Sequence, residues 1–296
     1  AFLLIAATLL LVAGGVFFNG LSLRTSRLAH DRNDTMQLAR TVALDMDRIF
    51  EGARQLLATL AKLPDGKGWD SRACSLVVAA ANDDLQYGHI VAVDRDGVML
   101  CNSRAASRTG AVMPDREVLD KVLASGKFSV GSFGRGTVSG NELIRVGYPV
   151  VDAKGLVTGA VYAGMNVTWL NTVFGVWQLP PNTTLSIVDR GGVIVAHYPD
   201  AAFAGRLVPD GLRPFVAETS PGVTETTGVD GILRIFGHAP ADIGAPTTGL
   251  TVFVGLSKDA VIAKIDRSIW INIGIGFSGL VALAGIASFF ANRFLA

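Results

Sequence analysis

The sequence predicts an α+β chain: one long helix, then two antiparallel sheet units, with an apolar run near each end. Three observations lead there. Between Asp31 and Leu63 apolar residues recur three and four apart, the spacing of a helix. After Pro64, short apolar runs alternate with Asp-Gly and Lys-Gly turns, the pattern of antiparallel hairpins. The order of those runs then repeats, so the second half of the chain restates the first.

The helix comes first. Ala39, Val42, Met46, Ile49, Ala53, Leu56, Leu60 and Leu63 form a heptad seam, with Ala43, Phe50 and Leu57 lined up beside it. That stripe is wider than a two-stranded seam needs, which suits a helix packed on its own domain. The seam also suits a second copy of the helix and hence a homodimer. Asp31, Asn33 and Asp34 offer caps and negative charge near its start, and Pro64 stops it.

Composition fits a membrane-anchored globular protein. Charged residues are 17% and hydrophobic residues 50% of 296, against about 25% charged in soluble domains. A net charge of +1 supplies no basic field for nucleic acid. Ala1–Phe18 and Ile269–Phe290 are nearly continuous apolar runs, each near the ~20 residues that span a bilayer. No small-x-small cleavage site precedes the polar Asn19, so an uncleaved anchor is expected rather than a signal peptide. Two spans put residues 20–268 on one side of the membrane. Loop charges do not orient a domain of that length.

Past Pro64, Cys74 lies on a short helical stretch, Ser71–Ala81, and Cys101 ends an apolar strand. A disulfide between them suits an oxidising exterior, while two separately buried thiols are the plain alternative. Tyr87–Val93, the turn Asp94-Arg95-Asp96-Gly97 and Val98–Cys101 form a hairpin signal. A helix is expected at Asp115–Ser125, then strands at Lys127–Phe133, Leu143–Val150 and Val157–Met165, with Asp152-Ala153-Lys154-Gly155 between the last two. Asn166 can cap a helix at Val167–Gln178. The pattern restarts with Leu185–Val188, Asp189-Arg190-Gly191-Gly192 and Val193–His197. A short helix candidate at Leu212–Glu218, strands at Gly222–Thr227, Ile232–His238 and Thr251–Leu256, and a helix capped by Ser257 complete it. Val161-Tyr162-Ala163-Gly164-Met165-Asn166 and Val252-Phe253-Val254-Gly255-Leu256-Ser257 are the matching landmarks: strand, Gly, apolar residue, helix cap.

Catalytic motifs are missing. There is no nucleophile elbow, His-Glu-x-x-His pair, Cys-x-x-Cys pair or phosphate loop. Gly274-Ile275-Gly276-Phe277-Ser278-Gly279 matches a dinucleotide fingerprint by letter but sits inside an apolar run, where small residues serve helix packing. Asp94-Arg95-Asp96-Gly97 lacks the remaining ligands of a calcium loop and suits a turn. His30, His89, His197 and His238 are far apart in sequence and suggest no metal site. No catalytic residue, metal or cofactor is expected.

The long helix, the two sheet units and the flanking apolar runs together resemble the double-Cache extracytoplasmic sensor domains of bacterial receptors. The likeness rests on layout and on short signatures: Asp94 to Gly97, Gly147-Tyr148-Pro149-Val150, Asp152 to Gly155, Gly159, and Asp189 to Pro199. It implies two PAS-like units outside the cytoplasm, carried on histidine kinases, diguanylate cyclases or chemoreceptors. The expected segments are a first membrane helix at 1–19 and a stalk helix at 20–66. A membrane-distal unit at 67–180 and a membrane-proximal unit at 181–260 follow, then a second membrane helix with its lead-in at 261–292. The chain would be a two-pass inner-membrane protein with residues 20–268 in the periplasm, non-enzymatic itself, with a kinase or cyclase expected beyond residue 296. A membrane-anchored scaffold that binds a periplasmic protein is the alternative.

The resemblance also implies a ligand site. Amino-acid-binding Cache domains carry an Arg followed by an aromatic pair, and an acidic residue at the end of the last distal strand. Asp115-Arg116 matches the Arg position and Asn166 the acidic one, while Val118 and Leu119 replace the aromatics. An Arg fork suits a carboxylate, so a small organic acid is the expected ligand; the plain alternative is that Arg116 caps a helix or pairs with Asp115 or Asp120 in solvent. Arg135, Arg145, Tyr148 and Tyr162 are further candidates. These four rank behind Arg116; Arg145 sits mid-strand in an apolar context, where a charge is seldom buried without a partner, and an exposed sheet face is the plain alternative.

Overall fold

The structure, a computed structural model, describes residues 2–64, 68–82, 86–104, 109–136, 142–177, 179–241 and 249–263, with isolated positions from 271 to 279. The side chains of residues 2–28, 82 and 176 fall outside that description. Helix α1 spans Phe2–Leu60 without interruption. The expected start at Asp31 is therefore corrected: no cap forms there, and Thr35 Oγ1 instead donates to the Asp31 carbonyl within the helix at 2.6 Å. Nothing between Leu21 and Ala29 breaks a helix, because the segment holds no Pro or Gly. The end tightens into a 3₁₀-type turn, Leu63 N–H to Leu60 O, ahead of Pro64.

Ala39, Met46, Phe50, Ala53 and Leu57 of α1 are fully buried, while Ile49 and Leu56 are only half-buried. The deepest face thus lies between the side row through Phe50 and Leu57 and the half of the seam through Ala39, Met46 and Ala53. It packs on one continuous core shared by both sheets, with Ile90, Val146 and Val161 from the first and Leu185, Val195 and Val252 from the second. Each large side chain buried there stabilises the fold by roughly 1.5–3 kcal/mol.

The first sheet contains β1 (Tyr87–Asp94), β2 (Met99–Asn102), β3 (Ser129–Arg135), β4 (Glu142–Val151) and β5 (Val157–Asn166), in the order β2-β1-β5-β4-β3. The second contains β6 (Thr183–Val188), β7 (Ile194–Tyr198), β8 (Gly222–Thr227), β9 (Leu233–Ala241) and β10 (Leu250–Ser257), in the order β7-β6-β10-β9-β8. All pairings are antiparallel and the two orders are identical, as the repeated landmarks require. Helix α2 (Ser71–Asn82) lies against β1 and β2, α3 (Glu117–Ser125) against the outer face of the first sheet, and α4 (Val167–Val176) follows β5.

One piece of local chemistry recurs in the turns. The Asp94 carboxylate accepts from the Asp96 and Val98 amides at 2.9 and 2.8 Å, and Gly97 takes φ +84. Asp152 and Asp189 do the same for their turns, with Gly155 and Gly192 at φ +80 and +79. An Asp that bonds the backbone two and four residues on, followed by a Gly at positive φ, builds such a turn at low cost. Asn166 caps α4 by accepting from Thr168 N–H at 2.9 Å. Cys74 on α2 and Cys101 on β2 are joined, with their Cα atoms 5.4 Å apart. The candidate helix at Leu212–Glu218 is shortened to a 3₁₀ turn, Arg213–Phe215, with Pro214 in its first turn. Among the described residues no helix is long and apolar enough to cross a membrane. Most of the run Ile269–Phe290 lies outside them.

Candidate functional site

A cavity of about 40 Å³ opens on the outer face of the first sheet, lined by His89, Met99, Met113, Pro114, Asp115, Arg145, Tyr162 and neighbours. Period-two alternation decides which side chains reach it. Ile144, Val146 and Tyr148 of β4 face the α1 side, so Arg145 faces the other. On β5, Val161, Ala163 and Met165 belong to the inner core while Ala160 and Tyr162 belong to the outer one. Register brings the polar groups together. His89 on β1 and Arg145 on β4 both pair with Gly164 of the central strand β5. A Cβ at Gly164 would meet the His89 ring at 2.9–3.0 Å, so the glycine makes room for the imidazole.

Arg145 is the charged centre of the cavity. Its side chain is 19% exposed, and Nη1 lies 3.0 Å from Asp115 Oδ2. Nη2 donates to the Arg135 carbonyl at 3.1 Å. Asp115 stands on the segment before α3, so this ion pair ties that segment to the sheet. Tyr162 is 4% exposed, and its hydroxyl has no hydrogen-bond partner among the described residues. His89 Nδ1 is likewise buried without a partner. Burial, helped by the nearby Arg104 and Arg145 charges, lowers the His89 pKa to about 4, so the ring is neutral at ordinary pH. Burial pushes the Tyr162 phenol well above its usual range and keeps it protonated.

The other candidates are placed differently. The guanidinium of Arg116 is taken up by main-chain carbonyls of the β1–β2 turn: Nη1 donates to Asp96 O, and Nη2 to Arg95 O at 3.1 Å. Nη2 also lies 3.5 Å from Asp120. Arg116 does not line the cavity, because the Asp-Gly turn puts its carbonyls over the start of α3. Asn166 is committed to its helix cap, and Tyr148 packs on the α1 side. Arg135 contributes its carbonyl to Arg145. His89, Asp115, Met99 and Met113 were not among the candidates. The one available signal for Asp115 was the unexplained charge on Arg145, which demanded an acidic partner somewhere.

Among the described residues, the second unit fills the matching positions differently. In the matching register Phe236 stands where the first unit has Arg145, Thr184 where it has His89, and Phe253 where it has Tyr162. The Phe236 ring fills the space over Gly255, leaving a residual void of about 10 Å³ nearby. A larger open groove, about 580 Å³, lies between the units beside Lys121, Lys127, Phe128 and Arg190. Its volume is ligand-sized, yet it holds none of the buried polar atoms without partners, and these mark the smaller cavity as the better candidate. Among the described residues no three His, Cys, Asp or Glu side chains are grouped to hold a metal ion.

Several solved structures with the same architecture come from sensing proteins. The extracellular domain of rpHK1S-Z16, named as a histidine kinase, superposes with a TM-score of 0.66 at 18% identity, over 79% of this chain and 98% of that one. The ligand-binding domain of the Pseudomonas fluorescens chemoreceptor CtaA with L-isoleucine gives 0.63 at 17%, over 81% and 98%. The ligand-binding domain of Mlp24 with asparagine gives 0.59 at 16%, over 83% and 99%. This is the fold of extracellular ligand-binding domains. It is double-Cache-like, with two antiparallel sheets, and its neighbours are sensor domains rather than catalytic ones. No protein-family model and no curated protein matches the sequence.

Proposed function

We propose that the chain is the extracytoplasmic sensing region of a bacterial transmembrane receptor, of the histidine-kinase or diguanylate-cyclase type. In this reading a small carboxylate binds the distal unit at Arg145. The observation that carries it is the Arg145 guanidinium held in a cavity beside the unpartnered hydroxyl of Tyr162. A carboxylate satisfies a guanidinium fork as Asp115 does, so an incoming acid competes with Asp115 for it. Binding then releases the segment that precedes α3. A ligand shifts such a protein only by its differential affinity for two states, and the broken Arg145–Asp115 pair supplies a difference between them. The signal leaves through β10, the helix after Ser257 and the second apolar run. The two-pass topology, with residues 20–268 in the periplasm, and pairing of two copies through α1 belong to the same proposal.

A thermal-shift screen of small organic acids against the full chain in nanodiscs tests it. A true ligand raises the melting temperature by mass action, more so at higher concentration. A panel in which no acid moves the transition would sink the ligand assignment. Reporter fusions after Arg293 and in the 65–68 loop test the topology, and the same location for both would overturn the two spans.

A further inference from the structure

We infer that the tip of the β8–β9 hairpin, residues 229–233, seats in the headgroup layer of the membrane, a contact additional to the two apolar runs. It rests on the two-pass topology proposed above. The height of the tip follows from one close approach. Gly237 of β9 and Thr35 of α1 lie level, because a Cβ at the glycine would strike the Thr35 carbonyl. From Thr35 back to Asn19, where the first apolar run ends, α1 is unbroken and descends about 24 Å at the helical rise per residue. From Gly237 back to Ile232 the chain descends about 17 Å at the rise of a strand. Of all the strands, β9 packs most extensively on α1. Run alongside the helix, its tip stands about 7 Å above the level of Asn19, and a tilt between the two widens that gap. The headgroup layer is about 5–8 Å deep on each side of the hydrocarbon, so side chains at the tip reach it.

The neighbouring strand fixes the direction. Ser257, the last residue of β10, pairs with Arg234, and the chain beyond it leads to the second apolar run. At the other end of the same strands, Leu250 pairs with Ala241 and borders the groove against the first unit. The hairpin tip therefore extends past β10 on the side of the apolar runs. Its chemistry suits lipid. Ile232 and Leu233 are each 42% exposed and, as successive residues, point to opposite sides of the hairpin. Val229 is half-buried beside them. The one acid of the turn, Asp230, is held by Arg234 in an ion pair at 2.5 Å, so the tip meets headgroup phosphates without a free negative charge. Exposure alone does not mark a lipid contact, since Leu156 is 60% exposed beside a turn of the first unit. Position separates the two residues, and Leu156 is the matched control.

Spin labels test it, one per variant of the full chain in nanodiscs of phosphatidylethanolamine and phosphatidylglycerol. Cys74 and Cys101 are joined, so the introduced thiol of Ile232→Cys, Leu233→Cys, Val12→Cys or Leu156→Cys takes the label. Collision with oxygen, which concentrates in lipid, is compared with collision with a nickel chelate, which stays in water. The expected oxygen-to-nickel ratio is severalfold higher at positions 232 and 233 than at 156, and highest at 12, inside the first apolar run. A ratio at 232 and 233 no higher than at 156, with that at 12 still high, overturns the inference and leaves the two-pass topology standing. A low ratio at 12 overturns the topology and the inference with it. Spin–spin broadening at 232 with a low ratio puts a second copy of the chain at the tip and overturns the lipid contact.

Discussion

Arg116 and Arg145 differ in what lies within reach of the guanidinium. Arg116 begins α3, where the β1–β2 turn presents two carbonyls, so it works as a strut. Arg145 projects from mid-strand into a cavity with one acid beside it. Arg116→Ala should therefore lower stability by about 1 kcal/mol, the usual worth of such partly exposed bonds, read as a shift in the urea midpoint. His89 makes a second prediction. Its pKa is about 4 in the fold and near 6.5 when unfolded. Between those values only the unfolded chain takes the proton, so stability falls as pH drops from 6.5 towards 4, by up to about 3 kcal/mol. His197 and His238 are also lowered by burial and push the same way. Urea midpoints at pH 7 and pH 4.5 should differ less in His89→Asn than in the parent. An unchanged slope would remove His89 as its source.

At the scale of elements, the Cys74–Cys101 bridge closes a 27-residue separation and pins α2 to the first hairpin. In the loop-entropy picture that contributes about 3 kcal/mol. The double variant Cys74→Ala/Cys101→Ala should unfold at correspondingly lower denaturant, and an unchanged midpoint would make the bridge incidental. Elements were legible wherever their cause is local. The Asp-Gly turns at Asp94, Asp152 and Asp189 announce themselves, because the carboxylate and the glycine act within four residues. Gly159 was legible as a signature, and its reason is steric: a Cβ there would collide with the Val93 carbonyl across the strand pair. The breadth of the α1 stripe was legible too. Which of its rows lies deepest was not, since two sheets packed beneath it decide that. The candidate site was half legible. Arg145 stood out as a charge in an apolar strand, but its partner Asp115 comes from a different element, and no local pattern links them. For Arg116 both readings were open in the sequence, and a residue type at a family position says nothing about which carbonyls a neighbouring turn brings near.

At the scale of the whole molecule, one unit was built twice and the copies diverged at their outer faces. The first keeps Arg145, His89 and Tyr162 around a cavity, while the second fills the matching positions with Phe236, Thr184 and Phe253. In the proposed reading the first unit binds the ligand and the second relays the signal. Helix α1 touches both. Gly237 of β9 sits so close beneath it that a Cβ would strike the Thr35 carbonyl, so the helix and the second sheet are in backbone contact. The most direct measurement is calorimetric titration of the best acid from the screen into three forms of the full chain: parent, Arg145→Ala and Arg116→Ala. Binding at the cavity predicts a loss of about 2–3 kcal/mol in affinity for Arg145→Ala, the worth of a charge-assisted bond, and an unchanged affinity for Arg116→Ala. Unweakened binding by Arg145→Ala, with the loss falling on Arg116→Ala, would contradict the assignment and move the site to the start of α3.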